Sequence, residues 1–199
     1  MMHRYIEGDP DLPVFVLLHG TGGGPDDLLS VARELSPESA TLAPTGPVSE
    51  NGAARWFRRL SEGVFDHEDV RARAGELADF LNDAREKYGF GRAVAVGFSN
   101  GANIAAAVAL TRPDALREAI LFSSMSPLPE LPSLDLTGTR IFLSNGEHDP
   151  MAPLPANDEL VRQFRERHAD VTTHRWPGGH QVTVDGISAA KAWLARVEA

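Results

Sequence analysis

Gly97-Phe98-Ser99-Asn100-Gly101 joins two segments of opposite character, and this junction constrains the chain more than any other feature in it. Ahead of it, Ala93-Val94-Ala95-Val96 is a short apolar run of the kind that forms a strand buried on both faces. Behind it, Ala102 to Leu110 is dominated by good helix formers. A strand, a sharp turn and a helix put Ser99 on an elbow, with the flanking glycines leaving room for the backbone to turn and pack. A serine held there is strained by about 1–3 kcal/mol, which is seldom retained without use. The helix starting at Asn100 aims its positive end at the same spot, favouring negative charge.

The rest of the chain repeats the alternation of apolar runs and helical patterns. Strands are predicted at Val14–Leu18, Ala40–Ala43, Glu118–Phe122, Arg140–Leu143 and Val171–His174, with His3–Glu7 as an edge strand. Val70, Ala74, Leu77, Leu81, Ala84 and Tyr88 mark one face of a long helix. Leu160, Val161, Phe164 and His168 mark a second helix, with Asn157 as its cap. Ile187, Ala190, Leu194 and Val197 mark a third, capped by Asp185. The pattern predicts an α/β fold, a mostly parallel central sheet with helices on both faces. No repeat or linker divides the chain, so residues 1–199 read as one domain. Thr45–Phe65 and the proline-punctuated Met125–Thr137 fit neither pattern, and long ordered loops of this kind usually carry function.

A serine hydroxyl needs a base, and the base needs a third group to orient it. On a strand–elbow–helix frame the chain order is serine, acid, histidine. Glu147 and Asp149 both follow the strand Arg140–Leu143; Asp149 is preferred because it lies further into the loop and precedes Pro150, where the chain turns away. Pro177-Gly178-Gly179-His180-Gln181 follows the last strand, and its glycines give His180 room to reach Ser99. His168 and His174 fall on a helix and in a strand, and His148 adjoins the acid, so none of the three suits the base. Charge developing on a carbonyl oxygen needs two N–H donors. Asn100, after the nucleophile, is one, and Thr21, in His19-Gly20-Thr21-Gly22-Gly23-Gly24, is the other, with His19 structural. Glycines in that loop would also suit a phosphate, but no G-x-G-x-x-G or Walker pattern accompanies them. Trp56, Phe57 and Met125 are assigned to apolar pocket walls.

Composition excludes several alternatives. A net charge of -9 argues against nucleic acid, and the densest basic cluster, Arg55, Arg58 and Arg59, reads as a solvated helical face. With no cysteine there is no disulfide, thiolate metal site or cysteine nucleophile. The N-terminus shows no apolar signal core and no run approaches a membrane span, so a cytoplasmic protein is expected.

Taken together, His19-Gly20-Thr21-Gly22-Gly23, Phe98-Ser99-Asn100-Gly101-Ala102-Asn103 and Gly179-His180-Gln181 resemble the bacterial phospholipase/carboxylesterase family of α/β hydrolases, related to acyl-protein thioesterases and dienelactone hydrolases. Glu50-Asn51-Gly52, Arg55-Trp56-Phe57 and Glu62-Gly63-Val64-Phe65-Asp66 resemble the subgroup often linked to hydroquinone or quinone stress. The likeness runs from about Val14 to Gln181 and implies a compact carboxylesterase with a reduced lid, a Ser99-Asp149-His180 triad and no cofactor or metal. It departs from dienelactone hydrolases in having serine for cysteine, and from acyl-protein thioesterases in having Thr21 where they carry an apolar residue. The expected substrate is a small ester. Thioesterase or lysophospholipase activity on longer chains is the alternative enzyme reading, and a non-catalytic binding protein is the alternative from another class. An apolar patch on an edge helix would suit a homodimer.

Overall fold

A computed structural model describes residues 1–196, so Val197 of the third helical stripe lies outside the described residues. In chain order the first elements are β1 (His3–Ile6), β2 (Val14–Leu18), α1 (Leu29–Leu35) and β3 (Thr41–Pro44). Four short strands follow, β4 (Val48–Glu50), β5 (Ala53–Arg55), β6 (Arg59–Ser61) and β7 (Val64–Phe65). Then come α2 (His67–Tyr88), β8 (Ala93–Phe98), α3 (Asn100–Thr111) and β9 (Glu118–Phe122). The last elements are β10 (Arg140–Gly146), α4 (Leu154–Arg165), β11 (Asp170–Trp176) and α5 (Val184–Ala195).

Seven strands form the main sheet in the order β1-β3-β2-β8-β9-β10-β11. Only the β1–β3 pair in it is antiparallel, which places the predicted edge strand at the rim. Successive side chains point to opposite faces, and β2 shows the result. Val14, Val16 and Leu18 join one core with the α2, α3 and α4 stripes, while Phe15 and Leu17 join the other with α1 and α5. Both faces are therefore apolar, which is why these strands read as continuous runs rather than as alternations.

Local chemistry sets the helix ends. The Asp66 side chain accepts from Asp69 N–H at the start of α2, and Gly89, at φ 71°, closes its end in the left-handed region. Two expected caps are corrected. Thr183 caps α5 through the Gly186 N–H, leaving Asp185 in the first turn. In α4 the chain turns helical at Leu154 behind Pro153, so Asn157 lies inside the helix, buried, with its Nδ2 donating to Ser124 O at 3.0 Å. His168 also leaves its predicted stripe: α4 stops at Arg165 and His168, exposed, has φ 68°.

The Thr45–Phe65 excursion folds as two antiparallel hairpins, β4–β5 and β6–β7, beside the C-terminal end of the main sheet. Asn51 and Gly52, at φ 51° and 86°, form the turn of the first hairpin. This is the conformation that Asn-Gly pairs favour between paired strands. The basic cluster is accordingly not helical. Arg55 lies on β5 and Arg59 on β6, both folded inward onto Glu50.

Candidate active site

Ser99 sits between β8 and α3 with φ 54° and ψ −118°, in the strained region expected of an elbow. Its N–H donates to Phe122 O at 2.9 Å, so the neighbouring strand holds the turn from one side. The glycines explain how the turn closes. A Cβ on Gly101 would lie 1.9 Å from Leu18 O, and one on Gly97 would lie 2.7 Å from Ala102 Cα. Only a bare backbone lets α3 start so close to the end of β2 and to its own strand.

The β10 and β11 ends are laced together beside this elbow. Glu147 N–H donates to Trp176 O at 2.9 Å and His148 N–H to Gly178 O at 2.8 Å. Asp149 follows with its side chain fully covered, and both of its oxygens are used. Oδ1 accepts from Met151 N–H at 2.8 Å and Ala152 N–H at 2.9 Å, while Oδ2 faces His180 Nδ1 at 2.8 Å. On the far side of the ring, Nε2 lies 2.9 Å from Ser99 Oγ. With Asp149 accepting, the network assigns the ring proton to Nδ1 and leaves Nε2 to accept from the Ser99 hydroxyl. Glu147 and His148 are exposed, in keeping with the preference for Asp149.

Thr21 and Asn100 line the same pocket as Ser99 and His180. Neither backbone N–H donates to another group among the described residues. For Asn100 this follows from its place in the first helical turn, where no intrahelical carbonyl is available. The Thr21 loop is held by Gly22 N–H on Ala54 O at 2.8 Å and by Arg55 Nη1 on Thr21 Oγ1 at 3.0 Å. His19 is structural in this arrangement: Nε2 accepts from Gly46 N–H at 3.0 Å and Nδ1 donates to Gly20 O at 2.7 Å.

The three assigned pocket walls are corrected. Trp56 is buried and bridges the elbow to the Thr21 loop: its N–H donates to Asn100 Oδ1 at 2.7 Å and its Nε1–H to His19 O at 2.9 Å. Phe57 is buried against the edge of Phe65. Met125 contributes its N–H to Asn103 Oδ1 at 2.9 Å and does not line the pocket. Trp56 and Phe57 lie in the bend between β5 and β6 and turn inward together, while Arg55 at the end of β5 and Arg59 at the start of β6 reach the cavity. Arg55, Arg59, Glu62, Phe65 and Met151 form its wall, with Asn103 and Ser123 in its floor. The Asn51-Gly52 turn signal was the available clue, because it announces β5 and with it Arg55.

Arginines dominate the electrostatics of this wall. Arg59 Nε donates to Glu50 Oε1 at 3.0 Å, and this bond, with the charges of Arg59 and Arg55, holds the Glu50 carboxyl below its ordinary range despite partial burial. No group of three or more His, Asp or Glu side chains that could hold a metal ion occurs among the described residues. No helix among them is long and apolar enough to cross a membrane.

A serine elbow after a central parallel strand, with an acid and a histidine delivered by later strand ends, is the layout of an α/β hydrolase. The fold bears this out: the crystal structure of the Bacillus cereus carboxylesterase matches with a TM-score of 0.94 and 40% identity, covering 98% of this chain and 93% of that one. The family model described as phospholipase/carboxylesterase matches residues 6–198, and the chain belongs to that family. It is also 42% identical over 195 residues to the putative hydrolase MhqD of Bacillus subtilis (strain 168), covering 97% of each chain. A structure of YahD with malic acid matches with a TM-score of 0.92 at 26% identity, covering 98% of both chains.

Proposed function

We propose that the protein is a serine carboxylesterase that cleaves a small or medium carboxylic ester through an acyl-enzyme on Ser99. The observation that carries the reading is the unbroken line from Ser99 Oγ to His180 at 2.9 Å and from His180 to Asp149 at 2.8 Å, on a serine whose backbone is strained. In the first step Ser99 Oγ attacks the ester carbonyl carbon and its proton passes to His180 Nε2. Asp149 keeps the ring oriented and stabilises the imidazolium. The carbonyl oxygen, now negative, is received by the Thr21 and Asn100 N–H groups, each worth about 3–4 kcal/mol in such a role. Collapse expels the alcohol, which takes the proton from Nε2. Water then repeats the sequence on the acyl-enzyme, and the carboxylic acid leaves.

The charged side chains that line the pocket, Arg55, Arg59 and Glu62, support a small polar substrate over a long acyl chain. The neighbour solved with malic acid points to the same scale of ligand. A panel of esters and thioesters graded in acyl and alcohol size tests the reading. Turnover is expected to peak at short acyl groups, and a steep rise toward long chains would instead identify a thioesterase or lysophospholipase.

A further inference from the structure

Arg55 is 3% exposed, deep for a guanidinium, and it stands in the wall of the Ser99 pocket. A cation taken out of water needs partners that replace its hydration. Its Nε donates to Phe57 O at 3.2 Å and its Nη1 to Thr21 Oγ1 at 3.0 Å. Glu50, 3.2 Å from Nη1, is shared with Arg59 and so supplies only part of a counter-charge. Glu62 also lines the pocket, but its side chain is 71% exposed and engaged by Arg59. Burial, with the Arg59 charge beside it, lowers the pKa of the Arg55 guanidinium, so its partners do not fully replace water. Nη2 donates to nothing among the described residues.

The pocket floor has the same polarity. Asn100 Oδ1 is occupied by Trp56 N–H, which leaves its Nδ2 buried without a partner. Asn103 Oδ1 is occupied by Met125 N–H, which leaves its amino group free as well. Ser123, held at φ 51°, has a buried hydroxyl with no partner. All three line the pocket, so the unused groups around Ser99 are chiefly donors. A plain alkyl ester offers acceptors only at the ester itself, where the Thr21 and Asn100 N–H groups act. Such a substrate would leave the buried Asn100 amino group and Ser123 hydroxyl unpaired, which burial penalises.

We propose that the substrate is a small ester bearing a carboxylate, and that Arg55 receives this carboxylate through Nη2 while Ser99 attacks the ester. The proposal rests on the esterase reading and narrows it. Arg55 sets specificity here and takes no part in bond making or proton transfer.

The carboxylate can belong to the acyl or the alcohol half, and two substrate pairs separate these. Ethyl hydrogen glutarate against ethyl hexanoate probes the acyl side, and acetoxyacetate against propyl acetate probes the alcohol side, with acid release followed in a pH-stat. In at least one pair the charged member is expected to have a kcat/KM about 10- to 100-fold higher, the effect of one charge-assisted hydrogen bond. Arg55→Met should abolish that ratio, mainly through KM, and Arg55→Lys should restore part of it. Equal kcat/KM within both pairs overturns the proposal. An Arg55→Met loss that is equal for charged and neutral members also overturns it, because it would make Arg55 a brace for the Thr21 loop. If Arg55→Met does not fold, the native ratios and protection by free glutarate against fluorophosphonate labelling decide. Labelling of the native protein distinguishes the two levels. No labelling defeats the esterase reading itself, whereas labelling without carboxylate preference defeats only the carboxylate inference.

Discussion

Ser99, His180 and Asp149 are joined at 2.9 and 2.8 Å, and elsewhere in the molecule Ser144, His174 and Asp185 are joined at 3.1 Å on both sides of the ring. The same three residue types in the same connectivity differ in everything around them. Ser99 is on a left-handed elbow at the start of α3, whereas Ser144 is inside β10 with ordinary strand backbone. Ser99 lines a pocket; Ser144 is buried beneath α5, where a Cβ on Gly186 would come within 2.7 Å of its Oγ. Asp149 has no exposed side-chain surface and two backbone donors on its second oxygen, while the Asp185 side chain is 84% exposed. The histidines are also reversed: His180 meets its serine with Nε2 and His174 with Nδ1. Distances alone therefore do not make a nucleophile. Access, a free pair of N–H groups and a desolvated, fully bonded acid are what single out Ser99 as the proposed nucleophile.

The largest expected difference between the two arrays is in turnover. Ser99→Ala and His180→Ala should each lower kcat on p-nitrophenyl acetate by about 10⁴- to 10⁶-fold, as expected for members of a unit that works together. Ser144→Ala and His174→Ala should leave kcat within about threefold, since a buried hydroxyl cannot meet substrate. A folded Ser144→Ala protein without activity would erase the contrast. The acids should differ next. Asp149→Asn is expected to cost about 10⁴-fold in kcat through the wrong tautomer of His180, against less than about twofold for Asp185→Asn. Equal effects would mean that burial of Asp149 is not what matters.

Smaller effects should appear in stability and run in the opposite direction. Ser99→Gly relieves the positive φ and should raise the unfolding free energy by about 1 kcal/mol in urea. Ser144→Ala leaves His174 Nδ1 without its hydrogen-bond partner and should lower it by about 1 kcal/mol. Destabilisation by Ser99→Gly would argue that the elbow is relaxed.

The contrast also explains which parts of the molecule were legible in the sequence. Ser99, Asp149 and His180 could be placed because each is tied to a strand end, and strands buried on both faces announce themselves as apolar runs. The Thr21 loop was legible from its glycines, and it lines the same pocket as Ser99, as the proposed donor role requires. The pocket wall was not legible in this way. β4 to β7 are two or three residues long, too short for alternation to register, and Arg55 is buried by partners on three separate segments, Thr21, Glu50 and Phe57. Trp56 and Phe57 look like pocket residues by type, yet one bridges the Asn100 side chain to the His19 carbonyl and the other fills core. The caps failed for a local reason. Thr183 and Asp185 are both able to cap, and only the geometry of the turn selects between them.

Labelling with a fluorophosphonate, followed by mass mapping of the modified peptide, tests the central claim most directly. The label should fall on Ser99, be slowed by a short-chain ester and vanish in Ser99→Ala while persisting in Ser144→Ala. A native protein that stays unlabelled, or carries its label on Ser144 or any residue other than Ser99, would contradict the account.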